Sequence, residues 1–535
     1  MKIHFMTLAS SAVLGLVTST SALPKVARTG RYLYDEDGTR FYPKGIAYQT
    51  PFITDNLADA AGDSSLNHDA CMNALSAAEI YVMLELALPY NGSIDTVQPS
   101  WSTNLLSQSV MALQYIKTID TFAKYDNLLA FNVGNEVIMP NATSSAPFIK
   151  AAVRDIKAYL TSISSSALVG YATIDGTSAF RHGVAEYLAC DPSGSNSGSS
   201  SIDFFGLNSY EQSLPATAAR LTTDFEEFPF TIAACVSRPC DLMGLAELNE
   251  DRRSEFVIGS LGGGGSISDS LFSQPTTDVL SGGIAYSYFP DRGFGVTNVS
   301  SDGRTVTTNG DFDDLVAQYS QVSFVNSPAK ASVPASSFAA CHLPSSLNVS
   351  LSLPPTPNKD ACECLESKLS CVFSPASRDY SKILGDLTGK VCGLLPGVNG
   401  SCADISGDGT AGSYGAVAMC DPTIRLSYAF SQYYELSGRV ASSCVFDGNA
   451  NLSRASTEDT FSSAVATCIP NSAQVSTPNA PVSGLGSSNS ALPLLGNILG
   501  GWFAMENDTG ILWEARDGSH MWTAFLYASA LLFQE

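Results

Sequence analysis

At 535 residues the chain has room for two or three domains and a large core. Acidic residues number 51 against 28 basic ones, a formal charge of −23, and that excess argues against nucleic acid or an anionic membrane surface as a partner. A neutral partner is accommodated more easily.

The N-terminal MKIHFMTLASSAVLGLVTSTSA, residues 1–22, has a Lys, an apolar stretch and small residues at Thr20 and Ala22, the pattern of a secretory signal peptide cleaved near Leu23. The shortness of the run and its small-residue exit favour this over a buried first helix. Secretion makes the 13 cysteines disulfide candidates, and with only 5 histidines, none at ligand spacing, neither a metal nor a cofactor is expected. N-x-S/T sequons begin at Asn91, Asn141, Asn298, Asn348, Asn399, Asn451 and Asn507, consistent with a glycosylated surface.

From residue 23 to 326, β-type apolar runs alternate with helical patterns. The strand candidates are FYPKGIAY, EIYVMLEL, LLAFNVG, LVGYAT, SIDFFGLN, FPFTIAAC and GGIAYSYF; between several of them lie stretches such as APFIKAAVRDIKAYLTSI, with apolar residues every three or four positions. The alternation predicts an α/β fold, a (β/α)8 barrel of the TIM type with one strand unaccounted for. A doubly wound sheet would need no further strand, but no Gly-rich nucleotide loop favours it. Residues 327–340 read as a Ser-, Pro- and Ala-rich linker. The stretch 341–470 holds nine of the cysteines and predicts a small disulfide-stapled module. The tail, 471–535, begins as low-complexity sequence.

Catalytic groups of such barrels sit at the C-terminal ends of strands, where Glu136 follows LLAFNVG. Retaining glycosidases use two carboxylates about 5 Å apart, one as acid/base and one as nucleophile, and an Asn beside the acid/base can bind the sugar 2-hydroxyl. Asn135 and Glu136 fit that half of the pattern, although a lone Asn-Glu pair also suits a solvated loop. Tyr210, Tyr286 and Tyr288 stand at other strand ends, where rings can stack on pyranose faces or simply pack in the core.

The blocks LPKVARTGRYLYDEDGTRFYPKGIAYQ, NHDACMNALSAAEIYVMLEL, IDTFAKYDNLLAFNVGNEVI, SIDFFGLNSYE and TTDVLSGGIAYSYF together resemble the fungal 1,3-β-glucanosyltransferases of glycoside hydrolase family 72. The stretch from CECLESKLSCV to SSCVFDGNA resembles the X8 carbohydrate-binding module of family 43 that follows their barrel. The resemblance implies a GPI-anchored cell-wall enzyme of the plasma membrane, with β-1,3-glucan as both donor and acceptor. Such an enzyme cleaves an internal bond, holds the donor as a covalent glycosyl-enzyme and passes it to the 3-hydroxyl at another chain's non-reducing end. It implies Glu136 as acid/base, Asn135 beside it, and Tyr210, Tyr286 and Tyr288 as substrate-binding. It also implies the pairs Cys190–Cys341, Cys362–Cys420, Cys364–Cys468, Cys371–Cys444 and Cys392–Cys402.

Two departures stand out. The family nucleophile is a Glu in an F-S-E-Y-G-C block ending the seventh barrel strand; here the stretch is FPFTIAACVSRP, Ile232 occupies the matching position, and the nearest carboxylates are Glu226, Glu227, Asp241, Glu247 and Glu250. Between Asp59 and Leu66 the family has a helix, a strand and an R-V-Y block that are absent here, so the barrel is expected to lack its second strand and to leave edges unpaired. Cys71 and Cys235 match cysteines whose partners are gone. A GPI signal wants small residues, a polar spacer and a terminal apolar tail; here SSNS is followed by two apolar runs separated by ENDTGILWEARDGSH. Three readings follow: an active transglycosylase, a glucan-binding wall protein without activity, and a coding sequence altered at these two places.

Overall fold

The computed structural model describes residues 22–49, 67–86, 94, 115–209, 214–226, 231–236, 271–290, 295–301, 305–375, 380–453, 460–469 and 522–527. The expected signal peptide, Tyr210, the gap at 59–66, the carboxylates at 227 and 241–250, and Asn91 and Asn507 lie outside these residues.

Eight parallel strands close a barrel: β1 (Lys44–Gln49), β2 (Ile80–Glu85), β3 (Leu128–Asn135), β4 (Leu168–Thr173), β5 (Phe204–Ser209), β6 (Thr231–Val236), β7 (Leu280–Ala285) and β8 (Trp522–Tyr527). Their order around the barrel is β7-β1-β8-β2-β3-β4-β5-β6. The first seven are the runs read from the sequence. The second place in the barrel, which the sequence suggested would stay empty, is taken by β8 from the tail, so the unpaired edges expected of β1 and β2 are covered.

These strands read as continuous apolar runs because both faces are buried. On β2, Tyr81 and Met83 join the lumen cluster, while Val82 and Leu84 join the layer under the helices. Gly170 on β4 is required by packing: a Cβ there would sit 2.1 Å from the Phe204 ring. A three-stranded antiparallel sheet within residues 27–41 closes the N-terminal end of the lumen, with Phe41 edge-on to Tyr81 at 5.2 Å.

Outside pack α1 (Asp69–Ala77), α2 (Tyr115–Phe122), α3 (Ala146–Ser162), α4 (Ser178–Ala189), α5 (Leu214–Phe225) and α6 (Gly310–Ser320). Helix α3 has Pro147 in its first turn, where a missing N–H costs nothing. Helix α4 starts at Thr177, whose side chain accepts from the Phe180 amide. Buried Lys150 on α3 donates to the carbonyls of Leu188, Cys190 and Ser200, fixing the end of α4 and the loop after it.

In that loop Asp191 is a hub. Its carboxylate accepts from the Ser193 and Ser197 amides at 2.9 and 2.8 Å and from the Ser193 hydroxyl at 2.7 Å. Burial works against the charge, yet these hydrogen bonds outweigh it and hold the carboxyl down to about 2. Because the folded value lies below the unfolded one, the contribution is present above about pH 4 and is lost as pH falls through about 2. Asp191→Asn is expected to lower Tm at neutral pH and to flatten the fall in Tm between those pH values, as calorimetry across that range would show.

The segment read as a linker is strapped to the barrel. The Tyr34 hydroxyl donates to Pro328 O at 2.8 Å, the Asp191 amide to Ala339 O at 2.7 Å, and Cys341 is joined to Cys190 by a disulfide. Further on, Tyr187 donates to Ser350 O at 2.6 Å, and Thr356 joins a buried cluster with Asp155 and Arg154.

The cysteine-rich module follows with α7 (Lys359–Lys368), α8 (Ser381–Leu394), α9 (Pro422–Leu436) and α10 (Phe461–Cys468). Four disulfides staple it: Cys362–Cys420, Cys364–Cys468, Cys371–Cys444 and Cys392–Cys402. Of the helical aromatics on α9, Tyr428 and Phe430 are core, Phe430 stacking on Phe446 at 3.7 Å, while Tyr433 and Tyr434 are partly buried. The module meets the barrel where Tyr414 packs edge-on against Phe148 at 5.7 Å.

Candidate functional site

Strand β3 occupies the fourth place in the barrel and ends at Asn135. Its pairing with β4 shifts register between Asn132 and Asn135, an irregularity of the kind that re-aims side chains at barrel rims. Glu136 follows with φ of 56°, a left-handed backbone that costs a non-glycine residue on the order of 1–3 kcal/mol and persists only where surroundings hold it. The Glu136 amide donates to Ala172 O at 2.9 Å.

Asn208, on β5 in the sixth place, supplies the other restraint. Its side-chain amide donates to Glu136 Oε1 at 2.6 Å and to Asn135 Oδ1 at 2.9 Å. One residue thus orients both members of the Asn-Glu pair. Deeper in the lumen Asn132 donates to Glu85 Oε2 at 2.6 Å, and both are buried.

Across the mouth, Tyr286 follows β7 and packs against the lumen cluster. Tyr288 lies 5.1 Å from the Tyr48 ring and 5.0 Å from that of Phe289. Burial raises the hydroxyl pKa of Tyr288, which keeps it a neutral donor at ordinary pH. The structure therefore gathers Asn135, Glu136, Tyr286 and Tyr288 at the C-terminal end of one barrel; Tyr210 is outside the described residues.

Strand β6, in the seventh place, contains no acidic residue: it reads Thr-Ile-Ala-Ala-Cys-Val. It pairs with β5 so that Thr231, Ala233 and Cys235 lie beside Phe204, Gly206 and Asn208, while Ile232 lies beside Phe205. Phe204 belongs to the lumen cluster and Phe205 to the outer layer. Ile232, matched to the family nucleophile, thus lies three residues before the position beside Asn208, the residue that holds Glu136. Glu226 is exposed at the far end of the barrel, where its backbone carbonyl accepts from Arg31 of the closing sheet at 2.6 Å. It stands at the opposite end from Glu136.

A single carboxyl can pass a proton to or from a glycosidic oxygen, but a covalent glycosyl intermediate needs a second one. Among the described residues no group of His, Cys, Asp and Glu is placed to hold a metal ion.

Comparison with known proteins agrees with this architecture. The family 72 model, described as glucanosyltransferase, matches residues 60–219, and the X8 domain model matches 369–451. The chain is 34% identical over 512 residues to 1,3-beta-glucanosyltransferase gas1 of Schizosaccharomyces pombe, covering 88% of this chain and 84% of that protein. It belongs to the family 72 glucanosyltransferases. A second relative, the 1,3-beta-glucanosyltransferase of Arthroderma benhamiae, is 31% identical, with 85% and 87% of the two chains covered. A solved structure of a Saccharomyces cerevisiae Gas2p mutant with laminaritetraose and laminaripentaose superposes with a TM-score of 0.65 at 25% identity, covering 84% of this chain and 100% of that one.

Against this family background the sequence reading missed Asn208, Asn132 and Glu85. Glu85 had a visible signal, since EIYVMLEL brings a carboxylate to a strand end just as LLAFNVGNE does. Asn208 had none of its own; it matters through the two side chains it holds. Cys71 is unpaired and half-buried.

Proposed function

We propose that this protein is a 1,3-β-glucanosyltransferase of the fungal cell surface, with Glu136 as acid/base and Asn135, Tyr286 and Tyr288 at the glucan, and that the chain as sequenced lacks the nucleophile. The names of its relatives and the laminari-oligosaccharides bound to Gas2p support the substrate class. The observation that carries the reading is Glu136 itself, a strained carboxylate at the fourth strand end held by Asn208. In this reading the domains are a barrel at 23–326 and a module within 341–470, with Trp522–Tyr527 of the tail supplying the barrel's remaining strand.

The expected consequence is binding without transfer. Calorimetry is expected to show that the chain binds laminaritetraose and that Asn208→Ala weakens that binding by on the order of tenfold, since a lost hydrogen bond to a charged group costs roughly 1.5–3 kcal/mol. No binding of laminaritetraose by the unsubstituted chain would overturn the proposal.

Entry to the secretory pathway through residues 1–22 and a GPI anchor in the plasma membrane belong to the same reading, supported by the leader pattern and the apolar tail. Among the described residues no helix is long and apolar enough to cross a membrane. A second reading is favoured by the confinement of both family departures to 59–66 and 228–281: the coding sequence is altered there, and the native product carries a Glu at the end of the seventh strand. Sequencing the mature transcript across those codons separates the two.

A further inference from the structure

Beyond Glu136 the chain turns back into the fold, and Val137 and Ile138 are buried. A buried amide needs an acceptor. Ile138 finds one in a side chain of the neighbouring strand: its amide donates to the Tyr171 hydroxyl oxygen at 2.8 Å. The Val137 amide also hydrogen-bonds to Tyr171.

Tyr171 lies on β4, fully buried, with its ring in the layer between the barrel and the helices. Gly134 leaves room for it: a Cβ there would lie 3.4 Å from the Tyr171 ring and 3.1 Å from the side chains of Val137 and Ile149. Burial raises the hydroxyl pKa, and the nearby Glu136 charge adds to the rise. The group therefore stays a neutral phenol whose oxygen can accept from an amide.

Two adjacent residues of β4 thus bracket Glu136. Ala172 O accepts from the Glu136 amide at 2.9 Å, and the Tyr171 side chain accepts from the amide two residues further on. Between them Ser145 Oγ donates to Val137 O at 3.2 Å. Backbone is held on both sides of a residue whose φ is 56°, a conformation that its surroundings must impose. Asn208 holds the carboxylate; Tyr171 holds the turn from which the carboxylate projects.

We propose that Tyr171 is a positioning residue for Glu136: by accepting from the Ile138 amide it locks the turn that presents the carboxylate at the barrel mouth. That role rests on Glu136 being the acid/base that meets the glucan. Tyr171 is buried behind the turn and acts on the sugar only through Glu136.

Hydrogen exchange and calorimetry on the full chain test it. In the unsubstituted chain the Ile138 amide is expected to exchange as slowly as those of β3, and exchange at the rate of an unstructured peptide would overturn the proposal. Tyr171→Phe keeps the ring and removes the acceptor. In that variant the Glu136 and Ile138 amides are expected to exchange on the order of tenfold faster, and unchanged rates would overturn the proposal. Laminaritetraose affinity separates positioning from general damage: Tyr171→Phe is expected to weaken binding on the order of fivefold, yet to change nothing further in the Glu136→Ala background. An equal loss in both backgrounds would mean that Tyr171 supports the barrel rather than Glu136, and would overturn the proposal. If the unsubstituted chain binds no laminaritetraose, the glucan assignment fails, whereas the exchange rates still decide whether Tyr171 holds the turn.

Discussion

Offered laminari-oligosaccharides, the purified chain is expected to lengthen them on the order of 10⁴-fold or more slowly than a relative with both carboxylates, the size of loss seen when one member of a catalytic unit is removed. The reasoning is geometric. A retaining transfer needs a carboxylate about 5 Å from Glu136, and β6, the strand that should bring it, carries none. Because members of such a unit are not additive, Glu136→Gln should cost this chain almost nothing further in transfer. In a complete enzyme the same change would be severe. Nor should Ile232→Glu restore activity, since that position pairs with Phe205, three residues before Cys235, which lies beside the Asn208 that holds Glu136, a displacement of about 10 Å along the strand. Product chromatography of the three chains checks all of these, and lengthened products from the unsubstituted chain would refute the argument.

Opening the Cys190–Cys341 disulfide is the second large effect. It closes a loop of 151 residues, for which the chain-entropy model gives about 5 kcal/mol at 25 °C, within the range of roughly 2–5 kcal/mol typical when a native disulfide is removed. The bond also pins the strap where the Asp191 and Cys341 amides exchange hydrogen bonds with Ala339 and Asp191 carbonyls. Replacing both cysteines by Ser should lower the denaturation midpoint of the barrel. The module should retain its own transition, since its four disulfides and its core cluster are separate. A barrel midpoint unchanged in urea would contradict this.

Seven of the eight staves were legible because a strand buried on both faces must be an apolar run, and runs such as LVGYAT admit little else. The eighth was not. It is a six-residue strand whose neighbours lie more than 400 residues away in the chain, and its apolar character fits a cleaved tail equally well. Periodicity reports on local burial and says nothing of such a partner. The site divided in the same way. Glu136 announced itself as a carboxylate ending an apolar run, but Asn208 is one polar residue in SIDFFGLN, and its importance is a matter of two hydrogen bonds across strands. Cysteine spacing alone left the pairings open, and they entered through the family resemblance.

The most direct test of the central claim, that Glu136 stands without a nucleophile, is to trap the covalent intermediate. A 2-deoxy-2-fluoro laminari-oligosaccharide donor with a good leaving group slows breakdown of a glycosyl-enzyme enough for intact mass measurement. An unmodified mass is expected after prolonged incubation at donor concentrations that saturate binding. A stoichiometric gain of one glycosyl group, mapped by peptide analysis to a carboxylate, would contradict it.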